Sequence, residues 1–289
     1  MRCLGFIEAF IITFLIFFLS PSFNGESMAQ TDSTKKDSAV LPVIKPLINL
    51  YDTLNYYQTK YDTSWYSGAL SYKKSDSLVS KEYCEIDILE IGKRDSCILV
   101  LGGIHGNELQ GVDLVVSLVN YCKKLADTCF QYKLVIVPIL NPDGIVHDTR
   151  TNANNIDINR NFPTKNFGEG KNKSKKAYNC GTEANSEIET QLVINLVNKY
   201  KPFMILTFHA PYACINYDGP ALDRATKLSE LTGLKLKKDI GYKISGSMGI
   251  YYGIERNIPV ITMELSVMDS SQWNRNKAGL LDLLKIKVK

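Results

Sequence analysis

Histidine is scarce in this 289-residue chain: His105, His147 and His209 are the only three. A site built from four imidazoles is excluded, and a site that needs two uses most of the supply. No two cysteines form a CxxC pair, and no Cys/His spacing matches a thiolate-held zinc. The formal net charge is only +4, with no basic stripe interleaved with aromatics, which argues against nucleic acid as a partner. The lysines between Lys165 and Lys176 read as a solvated loop. There is no internal repeat and no low-complexity tract, which excludes a repeat array.

What is present begins with an export pattern over residues 1–29. Arg2 supplies a positive start, Phe10 to Leu19 an apolar core, and Ser27-Met28-Ala29 a small-x-small cleavage site. The expectation is an exported chain, periplasmic or secreted, with no stable membrane insertion once the segment is removed. The alternative is an uncleaved N-terminal anchor, because Cys3 to Leu19 is near the lower length limit for a span. Cleavage removes one Arg and two Glu and moves the formal charge to +5. Six cysteines then remain, an even number that permits up to three disulfides, with Cys122 and Cys129 the nearest local pair. Residues 30–67 read as a polar tether followed by an N-terminal helical segment, and 68–289 as one catalytic domain.

Cys84 to Ile88 alternates as a half-buried strand, whereas Cys97–Leu101, Lys133–Leu140 and Phe203–Phe208 are continuous apolar runs of strand length. Helical patterns cover Glu108–Leu125, Glu183–Tyr200 and Asp223–Leu231. Strands alternating with helices predict an α/β fold with a mostly parallel sheet in three layers. Ligands bind such sheets at the carboxyl ends of the strands. His105, Asn141, His209 and Glu264 all stand at or just past such ends.

In LVLGGIHGNELQGV, His105 and Glu108 are three residues apart where a strand meets a helix, so one turn of backbone can aim an imidazole and a carboxylate inward. That is half of a zinc site, and a hydrolytic zinc uses three protein ligands. His209, at the end of FMILTF and followed by Ala210-Pro211, is the expected third; His147 lies in a polar loop and reads as a surface residue. Glu264 is the single carboxylate embedded in the apolar VITMELS, a costly position that service as a general base would explain. Between Asn141 and Pro163, Arg150 and Arg160 stand among six asparagines. The simplest division gives one arginine to a reacting carbonyl and one to a substrate carboxylate.

In this order the motifs HxxE, NPDG, an arginine, DxNRNF, a strand-end His and a late Glu resemble the zinc carboxypeptidase family. The resemblance implies a single domain with a mixed, mostly parallel eight-stranded sheet, helices on both faces, and one zinc per chain held by His105, Glu108 and His209. It implies Glu264 as general base, Arg150 polarising the scissile carbonyl, and Asn159 with Arg160 gripping a substrate carboxylate. Asp157 matches the carboxylate that orients the first histidine, and Tyr242 the family's substrate-binding tyrosine. The wording GGIHGNE, TFHAP, DGPA and GYKISGSMG is most similar to the murein tripeptide amidase branch, which cuts the γ-D-glutamyl bond to meso-diaminopimelate. A peptide or muropeptide substrate follows from that resemblance. Tyr212 departs from it, since a Leu after HAP is common there. Release of C-terminal residues from ordinary peptides is one alternative. An aspartoacylase or succinyl-deacylase activity is another; NPDG, HAP and the late Glu264 speak against it.

Overall fold

A computed structural model of the chain describes residues 76–82, 85–169, 179–239, 244–266 and 272–287. The expected signal, tether and N-terminal helical segment (1–67), together with Cys84, Tyr242 and most of the lysine cluster, lie outside the described residues.

Eight strands form one sheet: β1 (Asp76–Val79), β2 (Glu85–Ile91), β3 (Cys97–Leu101), β4 (Lys133–Val137), β5 (Met204–His209), β6 (Cys214–Asp218), β7 (Lys235–Lys237) and β8 (Val260–Glu264). Their spatial order is β1-β2-β4-β3-β5-β8-β6-β7. The central four, β4, β3, β5 and β8, run parallel to one another. At one edge β1 and β2 join antiparallel; at the other β6 runs antiparallel to β8 and carries β7. The mixed, mostly parallel sheet expected from the sequence is therefore present.

The helices are α1 (Leu109–Cys122), α2 (Pro142–His147), α3 (Ile188–Tyr200), α4 (Leu222–Thr232) and α5 (Gln272–Leu283), with a π-helical turn at Gly249–Ile254. Continuous apolar strands need cover on both faces, and the sheet has it. Ile98 and Val100 of β3 face a core shared with α1, α4 and α5; Leu99 and Leu101 face a second core shared with α3 and the π-turn. In α1 the residues Leu114, Val115, Leu118, Val119 and Cys122 form the stripe that a 3.6-residue period places on one side. Burying a Leu or Ile of this kind contributes about 1.5–3 kcal/mol, so these paired faces hold the sheet rigid where it carries the site.

Two elements differ from the sequence reading for identifiable reasons. Strand β4 stops at Val137 rather than Leu140, because Pro138 has no N–H to continue the ladder. Helix α3 begins at Ile188 rather than Glu183, since Glu187 is extended (φ −85°, ψ 138°) and its carboxylate is occupied by Asn152 and Asn154. Asp87, on the polar face of the alternation, is buried in the structure. The expected disulfides are absent among the described residues: Cys97, Cys122, Cys129, Cys180 and Cys214 are all buried free thiols. Cys122 lies in the core as an apolar residue, so the Cys122–Cys129 pairing is corrected.

Candidate active site

The turn after β3 delivers the first two groups. Gly106 lets it cross the backbone of α2, since a Cβ there would fall 1.9 Å from the Gly144 carbonyl carbon. The crossing partner is itself fixed: Asn141 accepts from the Gly144 N–H at 2.9 Å, and Pro142 starts the helix, so NPDG is an N-cap. On the other side β5 ends at His209, which pairs in register with Glu264 of β8. Four side chains from three separate stretches of the chain thus meet at one sheet edge.

His105 Nδ1 and His209 Nδ1 face each other at 3.0 Å. Glu108 reaches both, Oε1 to His105 Nδ1 at 3.0 Å and Oε2 to His209 Nδ1 at 2.9 Å. Two imidazole nitrogens and a carboxylate converge on one point, with all ligand atoms within 4.8 Å of one another. Two ligands about 2.0–2.1 Å from a tetrahedral zinc stand about 3.3 Å apart, so this donor set fits the ion. Burial opposes the charge on Glu108, but His105 and His209 outweigh it and hold the carboxyl well below the usual range.

The buried Asp157 stands behind His105, its Oδ1 3.0 Å from Nε2. Burial works against the Asp157 charge, yet His105, Arg150 and Arg160 keep its carboxyl far down. Burial pulls the His105 imidazole toward neutrality, but Asp157 and Glu108 prevail and raise its pKa. Arg150 bridges the two carboxylates, donating from Nε to Asp157 at 2.8 Å and from Nη1 to Glu108 at 2.9 Å. Asn159 and Arg160 follow in a 3₁₀ turn over residues 158–160. That turn is clasped to the segment before the π-turn, where Met248 N–H donates to Asn159 Oδ1 at 2.9 Å.

A cleft of about 370 Å³ collects His105, Glu108, Arg150, Asn159, Arg160, His209 and Glu264. Glu264 is buried, and its Oε2 has no hydrogen-bond partner in the structure. Burial raises its pKa, reinforced by Glu108 and opposed by His209. His147 lies apart, half-exposed and bonded to Glu82 at 2.6 Å. Tyr242 falls outside the described residues.

The sequence reading missed the far wall of this cleft, which Asn216 and Asp218 of β6 and Thr262 of β8 supply. The signal was available: CINYD alternates, and Cys214, Asn216 and Asp218 share one face while Ile215 and Tyr217 join the core on the other.

The sequence pattern of the zinc carboxypeptidase family matches residues 79–268, about two thirds of the chain. The chain belongs to the zinc carboxypeptidase family. As a member of that family it is a zinc-dependent metallopeptidase or amidase acting on peptide-type substrates. Among its relatives is murein peptide amidase A of Escherichia coli (strain K12), 31% identical over 183 residues, or 60% of this chain and 73% of that one. The crystal structure of murein-tripeptide amidase MpaA from Escherichia coli O157 superposes with a TM-score of 0.59 and 26% identity, covering 73% of this chain and 91% of that one. Carboxypeptidase A from Helicoverpa armigera shares the fold at 18% identity and a TM-score of 0.58, over 72% of this chain and 64% of that one.

Proposed function

We propose that this zinc carboxypeptidase family member hydrolyses an amide bond in cell-wall (murein) peptides, such as the γ-D-glutamyl bond to meso-diaminopimelate, and that residues 1–29 direct its export. The observation that carries the chemistry is the unpartnered Glu264 Oε2 beside the convergent His105, Glu108 and His209. The substrate class is supported by the similarity to murein peptide amidase A.

His105, Glu108 and His209 would hold the zinc, with Asp157 fixing the tautomer and orientation of His105. An ion held there would supply Lewis acidity toward a carbonyl oxygen and would make water a better nucleophile at neutral pH. Glu264 takes the proton of the attacking water and passes it to the leaving nitrogen, a role that suits a carboxyl whose pKa burial has raised. Arg150, anchored by Asp157 and Glu108, faces the charge that develops on the carbonyl oxygen. Asn159 and Arg160 grip the free carboxylate of the residue that leaves.

The test is mass analysis of the products released from purified muropeptides by the zinc-loaded protein. Diaminopimelate-containing fragments and a free γ-D-glutamyl carboxyl are expected. Release of single C-terminal residues from ordinary peptides, with muropeptides untouched, overturns the proposal in favour of a general carboxypeptidase. The N-terminal sequence of the protein recovered outside the cytoplasm tests the export segment.

A further inference from the structure

A buried carboxylate that does not line the cleft joins the two segments that carry its arginines. Glu187 stands in extended backbone just before α3, is buried, and has no ion-pair partner among the described residues. Its two oxygens instead take three side-chain donors. Oε2 accepts from Asn152 Nδ2 and from Asn154 Nδ2, each at 2.7 Å, and Oε1 accepts from Ser186 Oγ at 2.6 Å. A buried carboxylate met by hydrogen bonds alone fixes its donors in place, because a donor that swings away leaves the group unsatisfied.

On one side the donors belong to the Arg150 loop. Asn152 closes the turn that follows Arg150: its Oδ1 accepts from Asn154 N–H at 3.0 Å and from Ile156 N–H at 3.1 Å, and the next residue is Asp157. Asn152 therefore fixes the backbone on which Arg150 and its anchor Asp157 are both mounted. On the other side Ser186 Oγ accepts from Asn161 Nδ2 at 3.1 Å, and Glu187 N–H donates to Asn161 Oδ1 at 3.1 Å. Asn161 is fully buried and directly follows Arg160. The contacts Asn152–Glu187–Ser186–Asn161 thus run from one arginine segment to the other, and none of these residues lines the cleft.

We propose that Glu187 is a positioning residue that sets the spacing of Arg150 and Arg160, the groups assigned to the scissile carbonyl and the substrate carboxylate. This role rests on the amide-hydrolase reading above and adds what holds its two arginines in register. Asp157 and Glu108 fix the tip of Arg150, whereas the backbone of both arginine segments is tied through Glu187. A scissile carbonyl and the carboxylate of the residue that leaves are joined by a few bonds and stand a set distance apart. A shift of either arginine therefore loses one contact when the other is made, and a misplacement of about 1 Å can cost about a hundredfold in rate.

The test is steady-state kinetics per zinc-loaded molecule on γ-D-glutamyl and ordinary α-peptide substrates, each with a free C-terminal carboxylate or its amide. Glu187→Leu, which keeps the bulk and removes every acceptor, is expected to lower kcat about ten- to a hundredfold on acid and amide alike, and to raise KM for the acid about tenfold. Glu187→Gln, which keeps an oxygen for Asn152 and Asn154, should restore most of both. Should Glu187→Leu not fold, the two arms are read singly. Asn152→Ala is expected to lower kcat with KM nearly unchanged, and Ser186→Ala to raise KM for the acid severalfold with kcat nearly unchanged. Variants that hold zinc and melt at a lower temperature, yet keep the kcat and KM of the unmodified chain, overturn the assignment. Equal kcat and KM changes in Asn152→Ala and Ser186→Ala do so too. The split is read in whichever series is cleaved: found with α-linked substrates while γ-glutamyl ones stay inert, it removes the murein reading and leaves Glu187 in place. Cleaved γ-glutamyl substrates without the split do the reverse. Should neither series be cleaved, binding of γ-D-glutamyl-lysine and its amide to Glu264→Gln, with and without Ser186→Ala, decides the matter. A weakened preference for the acid is expected, and an unchanged one overturns the assignment.

Discussion

Asp157 and Arg150 meet at 2.8 Å behind the metal centre, and the same carboxylate holds His105 at 3.0 Å. One buried anion therefore orients both a zinc ligand and the arginine assigned to the carbonyl. Asp157→Asn is expected to weaken zinc binding about ten- to a hundredfold, the usual scale for losing such a partner. Competition against a chromophoric chelator measures it, and unchanged zinc affinity would show that His105 is held by packing alone.

Zinc content distinguishes the two remaining histidines. One equivalent per chain is expected, lost in His209→Ala and retained in His147→Ala, because His147 is bonded to Glu82 at the surface. Chelation should lower the melting temperature, since a ligand at about a hundred times its Kd stabilises the fold by about 2.7 kcal/mol. Elemental analysis beside thermal melts checks both statements.

Glu264→Gln is expected to keep zinc and substrate binding while kcat falls at least about a hundredfold. The variant preserves shape and removes only the proton-accepting carboxylate. Turnover within a few-fold of the unmodified protein would remove Glu264 from the chemistry.

The two arginines should fail differently. Arg160→Ala is expected to raise KM for substrates with a free carboxylate and matter little for the corresponding amides. Arg150→Ala should lower kcat for both, since its partner charge develops in the transition state. Losses on the order of 2–4 kcal/mol are expected for a charge-assisted contact in such a site. Identical losses on all four combinations would contradict the division of roles.

Stability should carry the signature of Glu189, a buried carboxyl that burial pushes up to about 7, with Asp143 and Glu187 adding to the effect. The unfolded chain releases this proton near the ordinary glutamate value while the folded chain keeps it, so the folded state binds more protons between those limits. By linkage its contribution falls as pH rises from about 4.5 to about 7 and is level above that, a loss on the order of 3 kcal/mol. Glu189→Gln should flatten this part of the curve. Denaturant unfolding of both proteins at pH 4.5 to 8 measures it, and parallel curves would mean that Glu189 ionises normally in the fold.

How far the sequence could be read follows from what kind of information each residue carries. The central strands were legible because burial on both faces makes them continuous apolar runs, and β3 has the boundaries expected, Cys97–Leu101. Local geometry made His105 with Glu108 visible, and position at strand ends gathered His209 and Glu264. Asp218 was legible only in part: the alternation of CINYD gives its face, but its place in the cleft depends on β6 pairing with β8 and on a π-turn more than thirty residues later. Asn152 was hidden for a similar reason. In sequence it is one of several loop asparagines, but its amide bonds Glu187 at 2.7 Å and Glu189 at 3.1 Å, tying the Arg150 loop to the start of α3. The cysteines misled because parity says nothing of depth.

Those cysteines bear on how the protein can be handled. Cys97, Cys122, Cys129, Cys180 and Cys214 are each buried as separate thiols, and burial pushes Cys122 up to about 12 and raises Cys97 and Cys214. Exchange and oxidation proceed through the thiolate, which burial suppresses at Cys97, Cys122 and Cys214. The described part of the catalytic domain therefore contains no covalent crosslink whose formation must precede folding. It can reach its native state in a reducing cytosol or an oxidising exterior without a disulfide isomerase, and a reductant that does not chelate zinc should cost it no stability.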